Sequence, residues 1–143
     1  MHQVRRARPE DAPELAGLIG ELGYPVRAVD VRPRIVGLPP DNVVLVAFDG
    51  TVLTGWVHGR HGRSVVHGDR LEIVGLGVAG DRRGHGVGRA LLTAVEGWAR
   101  GRGLRRAQVL SGAERGAAHR FYRRHGYRRM KAEEVFVKTL AAG

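Results

Sequence analysis

The densest chemical signal in the chain is residues 71–92, LEIVGLGVAGDRRGHGVGRALL. An apolar run with strand character enters a glycine-rich loop, and an apolar helical pattern leaves it. Such a loop presents backbone N–H groups. Its glycines let the main chain approach a ligand oxygen, and the N-terminus of the following helix adds unpaired donors and partial positive charge. The chemistry that suits it is anion binding. Gly84, Gly86 and Gly88 stand at alternate positions, more glycine than one turn needs, and Arg82, Arg83 and Arg89 add formal charge. Gly75-Leu76-Gly77-Val78-Ala79-Gly80 formally matches the dinucleotide pattern G-x-G-x-x-G. That fingerprint needs a helix to begin at once, whereas residues 81–88 still have loop composition. No G-K-S or G-K-T occurs, which excludes a Walker-type phosphate loop.

The charge balance points to the same region. The 143 residues carry a net charge of +10, and residues 82–131 hold 14 basic and two acidic side chains, a local excess of +12. A polyanion is expected there: nucleic acid, an anionic membrane or a phosphorylated small molecule. Hydrophobic residues make up 43% of the chain, enough for a core, so a disordered basic tail is excluded. With no cysteine, a disulfide framework, a thiolate zinc site, an iron–sulfur cluster and a cysteine nucleophile are excluded together. His58, His61 and His67 invite a metal reading, but no cysteine or carboxylate completes a ligand set, so no metal is expected. These histidines, and Tyr24, are instead candidates to line a substrate site. The amino-terminal residues lack a secretory apolar core. The longest apolar run, residues 43–48, falls far short of the roughly 20 residues that span a bilayer. A cytoplasmic protein with no membrane partner is expected.

The elements that must position the loop follow from periodicity. A short strand over residues 3–8 is followed by Pro9-Glu10-Asp11, a helix start, and Leu15, Leu18, Ile19 and Leu22 share one helical face that Gly23 ends. A second helix is predicted over 29–36, despite Pro33. Asp49-Gly50 between the apolar runs 43–48 and 51–58 signals a two-residue hairpin turn. Residues 59–69, rich in Gly, His and Arg, have the composition of an exposed loop before a strand over 71–78. Leu91, Leu92, Val95, Trp98 and Ala99 mark a helix from Gly88 to about Arg100. A strand over 106–110, a helix bearing Ala117, Ala118, Phe121 and Tyr122 and closed by Gly126, and two short strands at 127–130 and 135–138 complete the chain. The strands at 71–78 and 106–110, separated by a helix, are predicted to be parallel. No repeat or linker is visible, so one domain over 1–143 is expected.

Arg83-Gly84-His85-Gly86-Val87-Gly88 resembles the R-x-x-G-x-G pyrophosphate loop of the GNAT superfamily of N-acetyltransferases, with the family's R-A-L-L helix start at Arg89. Leu76-Gly77-Val78 resembles the family's bulged strand. Ala118-His119-Arg120-Phe121-Tyr122 and Gly126-Tyr127 resemble its A-x-x-F-Y helix and the strand entry behind it. The resemblance implies an α/β (α+β) fold, with a mixed central sheet of about six to seven strands flanked by about four helices, in the order β-α-α-β-β-β-α-β-α-β-β. It implies acetyl-CoA as acetyl donor, whose roughly three to four negative charges give the basic segment a ligand. It also implies transfer to a primary amine of a small molecule, peptide or protein. Homodimerisation is common in the family, and nothing in the sequence specifies an interface.

Carried over residue by residue, the resemblance makes Leu76, Gly77 and Val78 backbone contacts to pantetheine. It makes Arg83, Gly84, His85, Gly86, Val87, Gly88 and Arg89 the pyrophosphate cradle, and places Ala118 and Tyr122 beside the cofactor. Tyr122 is the candidate acid for the thiol leaving group, because a phenol with an ordinary pKa near 10 stays protonated at neutral pH. As a residue on an apolar helix face it is equally suited to a core. Glu72 resembles the glutamate that some members use as general base, directly or through water, and a strand-start carboxylate is equally suited to solvent. The Val78 N–H is the expected oxyanion donor. Where the family often has asparagine, seven residues before the tyrosine, this chain has Arg115, so cofactor contact there is expected to differ. Two other readings stand beside this one: an acyl-CoA-binding sensor without catalysis, and a basic nucleic-acid-binding module. The second rests on charge alone and lacks a recognisable nucleic-acid motif.

Overall fold

A computed structural model of the chain describes residues 2–110 and 116–141. These belong to two units, Met1–Leu110 and Ser111–Gly143. In the first, the elements follow the order β1 (Gln3–Arg6), α1 (Ala12–Glu21), α2 (Ala28–Val36), β2 (Asn42–Asp49), β3 (Val52–Ser64), β4 (Gly68–Val78), α3 (Val87–Gly101) and β5 (Ala107–Val109). They form one mixed sheet of spatial order β1-β2-β3-β4-β5. All neighbours are antiparallel except β4 and β5, which are parallel as expected for strands joined by a helix.

Helix α1 begins where Pro9 opens a 3-10 turn and the buried Asp11 carboxylate closes it. That carboxylate accepts from the Arg8 amide at 2.7 Å and from both terminal nitrogens of Arg5 at 2.8 and 2.9 Å. The Arg5 hydrogen bond outweighs burial and holds the Asp11 pKa below the usual carboxylate value. Leu15 and Leu18 of α1 and Val31 of α2 pack with Val46, Phe48, Leu53 and Ala79 on one face of the sheet. The opposite face receives α3, whose Val87, Leu91 and Val95 are fully buried. The i, i+4, i+8 spacing of these three residues is the stripe a helix needs to lie on a sheet.

Three details differ from the sequence reading. Residues 59–69 are not a loop. β3 continues to Ser64, β4 starts at Gly68, and they pair throughout, Gly62 opposite Arg70. The glycines that suggested a loop are there for close approach. A Cβ on Gly59 would fall 2.5 Å from Val95 Cγ2 and 3.1 Å from Leu71 Cδ1, and one on Gly62 would fall 1.9 Å from Glu72 Oε1. The hairpin turn sits one residue later, on Gly50-Thr51, with Gly50 at φ +61° and Asp49 paired with Val52. Finally, among the described residues the sheet has five strands, fewer than the six to seven expected. Residues 127–130 and 135–138 form no ladder, since strand propensity alone does not make a strand.

In the second unit, α4 (Gly116–Arg124) is the described helix. It ends in a full Schellman motif. The Gly126 amide, at φ +90°, donates to the Arg123 carbonyl at 3.2 Å, and the Tyr127 amide donates to the Tyr122 carbonyl at 2.9 Å. The rings of Tyr122 and Tyr127 meet edge-on at 5.8 Å and close the motif.

The packing of α3 on glycine yields a test. Gly59→Ala should cost about 1–3 kcal/mol by overpacking. Gly59→Ala/Val95→Ala should cost less than the sum of the two single changes, since the second removes the methyl that the first would strike. Urea unfolding of the three variants measures the coupling.

Candidate active site

The site grows out of β4. Its ladder with β3 pairs His58 with Gly75 and Gly59 with Ile73, leaving Val74 as the extra residue of a bulge. The bulge therefore lies two residues before Leu76-Gly77-Val78, where the sequence reading put it. On the other side, β5 pairs with β4 at Leu71, Glu72 and Ile73 only. From Val74 onward that edge of β4 carries no strand partner among the described residues. The Ala79 amide donates to the Thr54 carbonyl of β3 at 2.9 Å. Successive amides alternate in direction along a strand, so Gly55–Val78 and Val57–Leu76 are non-hydrogen-bonded pairs. Leu76 and Val78 consequently turn both N–H and C=O toward the open edge. A ligand carrying amide groups could pair there as a short strand would.

Beyond Ala79 the chain makes a 3-10 turn over Gly80–Arg82 and then the glycine turn into α3. The turn is anchored at both ends. The Gly80 amide donates to Glu21 Oε1 of α1 at 3.3 Å, and Arg82 forms a short ion pair with Asp49 at the β2–β3 hairpin. Arg82, grouped by sequence with the anion-binding arginines, is thus committed to the scaffold and holds the Asp49 carboxyl below its ordinary pKa. Arg83 and Arg89 are exposed and, among the described residues, paired with no carboxylate. Gly84 and Gly86 take the left-handed conformation, φ +81° and +83°. Among the described residues no atom lies within 4 Å of a Cβ built on Gly84, and on Gly86 only a His2 ring nitrogen does, at 3.9 Å. Among the described residues no side chain caps α3. Open glycine backbone, an uncapped helix N-terminus and two unpaired arginines make a donor set that fits a pyrophosphate.

Residues 11–127 match the acetyltransferase (GNAT) family. The chain belongs to that family. Its fold is shared with the aminoglycoside acetyltransferase AAC(6')-Iy in complex with the bisubstrate analogue CoA-S-monomethyl-acetylneamine, at 18% identity, over 98% of this chain and 99% of that one, with a TM-score of 0.84. It is similar too to the aminoglycoside 6'-N-acetyltransferase AAC(6')-IG from Acinetobacter haemolyticus, at 14% identity, over 97% and 99%, with a TM-score of 0.82. A transcriptional regulator from Bacillus halodurans has the same fold at 22% identity, over 97% and 99%, with a TM-score of 0.78. No curated protein matches the sequence at a significant level.

As a GNAT site the region contains features the motifs did not reveal. Glu72 lies on the sheet face opposite α3, in the space Gly62 leaves open, and accepts a hydrogen bond from Arg60 on β3 at 3.3 Å. On the same face Trp56 lies across β4. A Cβ on Gly75 would fall 2.3 Å from its Cη2, and one on Gly77 would fall 2.8 Å from its Nε1 and 2.2 Å from Leu22 Cδ1. Its indole N–H is buried with no partner among the described residues. Alternate glycines opposite a tryptophan in a hairpin were the signal for this contact, readable only once the register is known. The histidines are not gathered. His58 and His61, three apart on β3, point to opposite faces. His58 Nε2 donates to Asn42 Oδ1 at 2.8 Å, while His61 lies 3.1 Å from Asp69 and 3.4 Å from Arg102. Tyr122 and Ala118 lie on α4, in the second unit, and Arg115 lies outside the described residues.

Burial, and then the charge of Arg60, push the His58 pKa below its ordinary value of 6.5. The folded state therefore favours neutral His58. Its contribution is complete above pH 6.5 and is lost as pH falls from there toward the folded pKa, where only the unfolded chain takes up the proton. His58→Gln should flatten the decline of stability below pH 6.5 relative to the parent, as urea midpoints measured across that range will show.

Proposed function

We propose that the protein is an acetyl-CoA-dependent N-acetyltransferase that transfers acetyl directly to a primary amine of a small molecule, peptide or protein, with residues 1–143 acting as one catalytic domain. The observation that carries this reading is the open edge of β4 at Leu76 and Val78 followed, after the short 3-10 turn over Gly80–Arg82, by the open glycine turn at the head of α3. A cofactor with amide groups along an arm and a pyrophosphate at its end matches that sequence of donors. The match to the GNAT family over residues 11–127, which crosses both units, supports treating them as one domain. Aminoglycoside acetyltransferases among the similar structures are consistent with an amine acceptor.

Acetyl-CoA supplies an acyl carbon activated by a thiol leaving group. In the proposed reaction the acceptor nitrogen bonds to that carbon, the C–S bond breaks, and one proton passes from the amine while another reaches the sulfur. Leu76, Gly77 and Val78 hold the pantetheine arm. Arg83, Gly84, His85, Gly86, Val87, Gly88 and Arg89 hold the pyrophosphate, Arg115 and Ala118 complete the cofactor contacts, and the Val78 N–H stabilises the developing oxyanion. Tyr122 gives the proton to sulfur, and Glu72 receives the amine proton directly or through water. The Arg60 hydrogen bond orients the Glu72 carboxylate and leaves its second oxygen for that proton. Face and order on the sheet place Trp56 and Leu22 beside the same stretch of β4, as candidates to border the acceptor.

A free-thiol assay with a panel of amines tests the reading without background, since the protein has no cysteine. Turnover with at least one amine is expected. Tyr122→Phe should lower kcat by about 100-fold or more while CoA binding is retained, within the range for loss of a general acid, and unchanged turnover would remove Tyr122 from that role. Glu72→Gln should likewise lower kcat and leave the affinity for CoA intact. Tight CoA binding without turnover of any amine would favour the sensor reading.

A further inference from the structure

The glycine turn poses a problem that the family motif does not solve. A chain segment with glycines at positions 84, 86 and 88 can present its amides in more than one direction, because glycine adopts left- and right-handed backbone about equally well. The side chains of Arg83, His85 and Arg89 are exposed and cannot hold the turn by packing. The upstream anchor is the Arg82–Asp49 pair, and the downstream anchor is buried Val87. Between them, the hydrogen bond from outside the turn comes from His2, the residue before β1. Its Nε2 donates to the His85 carbonyl at 2.5 Å.

The His85 carbonyl and the Gly86 amide belong to one peptide plane. In a trans peptide the C=O and the N–H point in opposite directions, and no cis bond occurs among the described residues. Holding the carbonyl toward His2 therefore aims the Gly86 N–H away from His2. Gly86 is the N-cap of α3, and no side chain among the described residues caps that helix, so its amide is presented beside the free amides of the helix's first turn. The imidazole also lies 3.9 Å from the position of a Gly86 Cβ, next to the backbone it holds. Its second nitrogen, Nδ1, is buried with no partner among the described residues. Burying a ring nitrogen without a partner is unfavourable, so stability alone does not account for the ring's placement.

We propose that His2 is a positioning residue for the phosphate loop, fixing the His85–Gly86 peptide so that the Gly86 N–H faces the pyrophosphate of the acyl donor. The inference rests on the acetyl-CoA reading above and adds to it a residue about 80 positions from the motif in sequence. It makes the role of His2 specific to the phosphate end of the ligand.

The test is binding by calorimetry of CoA and of pantetheine, which lacks the pyrophosphate, to the parent protein, His2→Ala and His2→Gln. Alongside it, the Gly86 amide is followed by NMR in protein labelled with 15N-glycine. His2→Ala should weaken CoA about tenfold, the loss of roughly one well-placed hydrogen bond, leave pantetheine affinity unchanged, and abolish the shift of the Gly86 amide on adding CoA. His2→Gln, which keeps an N–H donor, should restore most of the affinity. Unaltered CoA binding in His2→Ala overturns the inference, and so does an equal loss for CoA and pantetheine, which would mark a merely structural role. A parent protein that binds pantetheine but not CoA also overturns it. A parent that binds neither overturns the acetyl-CoA reading itself.

Discussion

The backbone of β4 is paired on both edges as far as Ile73 and on one edge from Val74 to Val78. Main-chain donors and acceptors must be satisfied, so a stretch of strand left half-paired inside a domain is a demand for a partner. The bulge at Val74 sets where that demand begins, because the extra residue increases local twist at the point where β5 leaves the ladder. The remainder of the site follows from where the open edge ends. Ala79 returns to β3 through Thr54, the 3-10 turn is tied to α1 by Glu21 and to the hairpin by Asp49, and the glycine turn delivers α3 onto the sheet. The edge and the loop are thus held at a fixed spacing by the core itself.

Glycine does two different jobs in this chain. At positions 84 and 86 it permits positive φ, which other residues rarely adopt, and opens the backbone to a ligand. At 59, 62, 75 and 77 it removes a side chain so that something else can come close: α3 at Gly59, the Glu72 carboxylate at Gly62, the Trp56 indole at Gly75 and Gly77. The second job explains why a glycine-rich stretch pairs as strand through its whole length. It also explains how a wide tryptophan and a partly buried glutamate share one sheet face with the open edge of β4.

The arginine excess divides in a similar way. Arg5 and Arg82 secure the first helix and the glycine turn through Asp11 and Asp49. Arg102 lies over the Trp98 ring at 5.2 Å, and Arg100 lies 3.9 Å from Glu96. Arg123 and Arg124 occupy the last turn of α4, where the helix dipole favours cations. Arg83 and Arg89 are left facing solvent beside the glycine turn. Part of the basic character is therefore structural, and Arg83 and Arg89 bring exposed charge to one helix start.

Periodicity alone determined the helices and most of the strands. The face carried by Leu15, Leu18, Ile19 and Leu22 packs on the core, the first two buried and the last two partly so, and the parallel pairing of β4 and β5 follows from the helix between them. The glycine turn at the head of α3 was legible because its signal is local: glycines, a helix start and arginines lie within a few residues of one another. What sequence could not supply was every contact made across the sheet. The length of β3, the bulge at Val74, the Arg60 partner of Glu72 and the Trp56 contact depend on register, which is set by the packing of the whole sheet. The last two strands failed for the same reason in reverse. Their residues have the right propensity, but a strand exists only through its neighbour. His2 is the extreme case, since nothing near it in sequence hints at a carbonyl 83 residues away. Only the folded sheet brings the two together.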